Sequence, residues 1–141
     1  MRRTIYVIDP VCPKFYDENT LKNEGMGASE SYLIYNLKEI IGHEKVSNFQ
    51  IIFFQDTREE KLQIDEGDNN SIIFEPLNMI LEYENLNPET IILQRDPKLF
   101  TYLKRIYPKS NLILYCHDFF EGGPLQSLNS KQLREIVEMD V

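Results

Sequence analysis

Residues 90–118 read TIILQRDPKLFTYLKRIYPKSNLILYCHD. The outer runs, 90–94 and 111–118, are apolar and rich in branched residues, with little in/out alternation. That is the pattern of parallel strands covered on both faces. Between them Leu99, Phe100, Leu103, Ile106 and Tyr107 recur at helical spacing. Asp96 can cap this helix, Pro97 fits its first turn and Pro108 closes it. A strand, a helix and a strand joined this closely form a βαβ unit, and such units wind right-handed onto a parallel sheet.

The same alternation continues upstream. Residues 4–9, 49–55 and 71–75 are further continuous apolar strands. Residues 29–41 form a helix on which Leu33, Leu37, Ile40 and Ile41 share a face. Shorter helices are expected around 77–86 and 130–139, and the acidic, Gly/Asn-containing stretch 65–70 reads as a loop. No internal repeat or low-complexity tract interrupts the pattern. The expected fold is α/β: a single Rossmann-like domain over 1–141 with a doubly wound parallel sheet in a three-layer α/β/α arrangement.

Composition narrows the function classes. The chain has 141 residues and a formal net charge of −8, with the acidic residues scattered. A nucleic-acid binder would need a basic stripe, so no nucleic-acid partner is expected. No apolar run approaches the ~18–20 residues that span a bilayer. Cys12 and Cys116 are the only cysteines, too few for a disulfide scaffold, and a reducing, cytoplasmic setting is expected. Asn69-Asn70-Ser71 matches a glycosylation acceptor, which means little without a secretory route.

In doubly wound sheets ligands gather at the carboxyl ends of the strands, near the point where strand order reverses. Segments 9–27, 55–70, 94–96 and 116–123 are expected at that rim, and the unusual residues concentrate there. In NEGMGASE (23–30), Gly25 and Gly27 permit positive φ and close approach, and the helix behind them favours an anion. The loop is neither GxGxxG nor a Walker loop, and its glycines could equally serve only to start the helix, with Glu30 favouring the dipole. His117 and Asp118 emerge from the last strand, where the histidine could move a proton, bond a hydroxyl-rich ligand, or merely end the strand. Arg95 could face an anionic ligand or pair with a nearby carboxylate; Lys14 and Lys22 are weaker candidates for the same role. Phe15, Tyr16, Phe119 and Phe120 could stack on a sugar ring or pack the loops onto the body. Cys116, His117 and Asp118 alternate between faces and do not converge on an ion, so no metal site is expected.

Together these residues resemble the N-terminal half of a GT-B glycosyltransferase, especially the family 4-like group. GASESYLIYNLKEI (27–40) is similar to that group's Gly-Gly-x-Glu helix start: Gly27 and Ala28 stand for the glycines, Glu30 for the acid, and Leu33 and Leu37 for core positions. LILYCHD (112–118) resembles its late strand and His-Asp, and LREIVEMDV (133–141) its approach to the following strand. The resemblance implies a retaining transferase with a nucleotide-sugar co-substrate, a sugar or glycan acceptor, and no other cofactor. Gly25, Gly27, Ala28, Glu30 and Arg95 would lie toward the donor diphosphate or substrate, and His117 and Asp118 toward the reacting sugar. The resemblance also implies a truncated domain, inactive without its C-terminal half; an exposed sheet edge, left by the missing later strands, could drive homodimer formation in the alternative reading that follows. The alternative is a non-catalytic Rossmann- or flavodoxin-like module that binds a small anion or a protein partner.

Overall fold

The computed structural model describes residues 2–10, 12, 14–23, 28–43, 45–83 and 86–115. Six strands form one sheet: β1 (Arg3–Asp9), β2 (Phe49–Gln55), β3 (Leu62–Glu66), β4 (Asn70–Pro76), β5 (Thr90–Gln94) and β6 (Asn111–Tyr115), in the order β3-β4-β2-β1-β5-β6. All neighbouring pairs are parallel except β3–β4. With β3 set aside, the strands run third-second-first-fourth-fifth, the order of the dinucleotide-binding type of doubly wound sheet. The fold is a Rossmann-like α/β fold, and strand order reverses between β1 and β5.

Side chains alternate between two cores, one on each face. Val7, Ile51, Phe53, Ile72 and Phe74 pack under α2 (Ala28–Ile41). Tyr6, Ile8, Ile52, Phe54, Ile73, Ile91 and Leu93 pack against Phe100 and Leu103 of α3 (Pro97–Ile106) and against a 3-10 segment, Leu77–Tyr83. These strands are therefore buried on both faces, which is why their sequences are unbroken apolar runs. The α3 start is as expected: the Asp96 side chain accepts from the Lys98 amide at 3.2 Å, and Pro97 opens the helix.

Four local features differ from the sequence reading. Residues 62–66 are not rim loop but the antiparallel edge strand β3, so the β2-to-β4 link is a strand and a tight turn instead of a crossover helix. Consequently only 55–61 of the expected rim segment lies at the carboxyl edge, and the 67–69 turn sits at the opposite end. Residues 77–83 form 3-10 turns, where an α-helix is expected. On α2 the buried stripe is Leu33, Ile34, Leu37 and Ile41, while Ile40 is 45% exposed; extended one turn back, that stripe includes Glu30. A short helix not expected from sequence, α1 (Glu18–Asn23), is capped by Asp17, whose Oδ1 accepts from the Asn19 amide at 2.8 Å.

The amino end of the sheet is tied together by Asn70. Its Oδ1 accepts from the Phe49 amide at 3.0 Å, and its Nδ2 donates to the Ile41 and Val46 carbonyls at 2.8 Å each. One buried side chain thereby joins the end of α2, the following turn, β2 and β4. Asn70→Ala leaves one donor and two acceptors without this partner and is expected to cost about 3 kcal/mol. Urea unfolding checks this: the midpoint should fall with an unchanged m-value.

Candidate functional site

The carboxyl ends of β1, β2 and β5 share an unusual chemistry. Each of these apolar strands ends in a fully buried polar residue: Asp9, Gln55 and Gln94. Asp9 pairs in register with Gln55, and the last β1–β5 pair is Ile8 with Leu93. The three side chains therefore sit level with one another, on the α2 face by strand alternation.

Tyr16 covers them. Its hydroxyl donates to Asp9 Oδ2 at 3.0 Å and accepts from Gln94 Nε2 at 2.6 Å. Its backbone carbonyl accepts from Gln55 Nε2 at 2.7 Å. Only 4% exposed, Tyr16 is part of the α2-side core, which resolves its two sequence readings in favour of packing. Burial first, and then the Asp9 charge, raise the phenol far above its ordinary value, so it acts as a fixed hydrogen-bonding group and not as an acid. Among the described residues, Gln94 Oε1 is buried without a hydrogen-bond partner.

Beside this cluster lies an ion pair between Arg95 and Glu30. Arg95 follows β5 directly and adopts φ 61°, a left-handed backbone rare for a side chain of its size. Glu30 stands in the first turn of α2 at the head of the buried stripe, which aims its carboxylate inward. The switch point is thus bounded on one side by the end of β5 and on the other by the start of α2, and this pair bridges them.

Two of the residues expected at the ligand, Glu30 and Arg95, are brought together here and bonded to each other. Ala28 begins α2 beside them. Gly25, Gly27, His117 and Asp118 lie outside the described residues, as do Phe119 and Phe120. Lys14 is exposed in the first loop, and Cys12 is buried with its Sγ 3.4 Å from the Thr57 hydroxyl. Among the described residues, no group of three or more His, Cys, Asp and Glu side chains is placed to hold a metal ion, and no helix is long and apolar enough to cross a membrane. Asp9, Gln55 and Gln94 are the site residues that motif reading passes over. Their common signal is a polar residue closing an otherwise apolar strand. Compared with protein-family models, curated proteins and solved structures, the chain matches none.

Tyr6, Tyr83 and Tyr107 are raised as well, each chiefly by burial. Below pH 10 every one of these phenols is neutral in both states and their contribution to stability is complete. Above pH 10 the unfolded chain releases protons that the folded chain retains, so stability falls as pH rises. Chemical unfolding should therefore show little contribution from these groups between pH 7 and 9 and a steep decline from pH 10 upward. Tyr16→Phe is expected to lose about 2 kcal/mol at neutral pH, because Asp9 and Gln94 lose a buried partner. Its alkaline decline should be shallower by up to about 1.4 kcal/mol per pH unit.

Proposed function

We propose that the chain is the acceptor-side domain of a retaining glycosyltransferase that uses a nucleotide-sugar donor. The supporting observation is the placement of Glu30 and Arg95 at the switch point of a third-second-first-fourth-fifth sheet, where sheets of this kind take their ligands. The resemblance of 27–40 and 112–118 to GT-B sequences supplies the chemistry. In this reading the donor diphosphate approaches the start of α2, and Arg95 exchanges its bond to Glu30 for one to phosphate oxygen. His117 and Asp118 serve the reacting sugar. A second α/β domain closes the cleft from the other side, so this domain alone binds ligand without turning it over.

The direct bond between Glu30 and Arg95 also favours a second reading, in which the pair is purely structural and the chain is a non-catalytic module for a small anion or a protein partner. Titration with UDP- and GDP-sugars, followed by amide shifts, separates the two. The transferase reading predicts shifts at 25–30, 94–96 and 117–118. Arg95→Gly suits the left-handed backbone and removes the cation, and it should weaken donor binding about tenfold, the worth of one charge-assisted contact. Silence at millimolar donor, or affinity indifferent to Arg95, contradicts the transferase reading.

A further inference from the structure

The outer face of α3 carries a charge that the rest of the chain does not share. The chain has 15 Lys and Arg against 23 Asp and Glu. Residues 97–110 hold Lys98, Lys104, Arg105 and Lys109 and no acidic residue, so the helix and the turn after it form a basic patch on an acidic molecule. Phe100 and Leu103 commit one side of the helix to the core. On the other side Lys98, Tyr102 and Arg105 recur at i, i+4 and i+7, which is one stripe along a helix. All four cations are exposed, and among the described residues none of them joins an ion pair, whereas Arg3, Lys38, Arg58 and Arg95 each hold a carboxylate. Among the cations, Tyr102 is 56% exposed and Ile106 47%.

We propose that this face docks the protein on an anionic lipid surface. A chain of net charge −8 is attracted to such a surface only through a basic patch, so the patch also sets one docking orientation. Three of its four cations are lysines, flexible point charges suited to mobile headgroups; recognition of a fixed carboxylate or phosphate favours the arginine fork. The face is the convex outer side of a helix, which meets a flat surface, whereas peptides are taken in grooves or along sheet edges. Tyr102 supplies an apolar ring with a polar tip, the combination enriched at membrane–water boundaries. The apolar stripe of α3 is buried against the sheet, so the contact is shallow, with cations among the headgroups and Tyr102 and Ile106 at the boundary. The patch shares no residue with the Glu30–Arg95 pair, so the inference goes beyond the transferase reading and does not need it.

The test is co-sedimentation of the full chain with vesicles of phosphatidylcholine alone and of phosphatidylcholine mixed with phosphatidylserine. The protein should bind the anionic vesicles, ignore the neutral ones, and dissociate as salt rises to about 0.5 M. Lys104→Gln combined with Arg105→Gln should weaken binding at least tenfold, since each cation near such a surface is worth roughly fivefold. The chain has no tryptophan, so Tyr102→Trp gives a single probe whose emission should shift to the blue on anionic vesicles. All three positions are exposed, and circular dichroism should show the fold unchanged. No binding at millimolar anionic lipid, equal binding to neutral vesicles, or full affinity in the double variant overturns the proposal. An unshifted tryptophan does so too, and with tight binding to poly-L-glutamate it would make the patch a site for acidic polypeptides.

Discussion

Three parallel strands end side by side in buried polar groups, and a single tyrosine bonds all three. A carboxylate and two amides at the end of a core would cost several kcal/mol if left dry and unbonded. The Tyr16 hydroxyl serves as donor to Asp9 and acceptor from Gln94, and its carbonyl serves Gln55. The segment carrying Tyr16 must therefore fold back over the sheet at the point where strand order reverses. Buried networks of this kind fix one arrangement closely, because partial satisfaction is costly. The position of the first rim loop follows from that constraint.

The neighbours of Tyr16 inherit their places from it. Phe15 is turned outward to stack with Arg58, and Asp17 is turned inward to bond Arg58 and cap α1. Arg58 in turn reaches Gln55, one of the residues Tyr16 bonds. The rim thus carries two neighbouring features: the Glu30–Arg95 pair at the switch point, and a groove beside Phe15. They differ in chemistry. The pair offers a cation whose present partner is a carboxylate, and the groove offers an aromatic ring among charged side chains.

The parallel strands were legible because burial on both faces forces unbroken apolar runs. The helix α3 was legible because Asp96, Pro97 and Pro108 punctuate a clear stripe. β3 escaped notice because it is a half-buried edge strand, with only Leu62 and Ile64 apolar among five residues, and its acidic end merges into the Gly67 turn. At the site, the sequence marked Glu30 and Arg95 as chemically interesting, but it could not show that they bond each other. Their contact joins positions 65 residues apart and depends on the left-handed turn after β5. Asp9, Gln55 and Gln94 were visible only as the ends of strands. Their shared partner became apparent once the register placed them level, and the sequence left Tyr16 open between stacking on a ligand and packing its loop onto the body.

Amide hydrogen exchange in Tyr16→Phe and in the unaltered chain tests the role of this tyrosine most directly. If Tyr16 holds the strand ends, protection should drop selectively in 14–20 and at the carboxyl ends of β1, β2 and β5. The centres of the strands, and the Asn70 region at the opposite edge, should keep their protection relative to global stability. A uniform loss across the sheet, or unchanged protection at 14–20, would contradict the view that one side chain positions the rim.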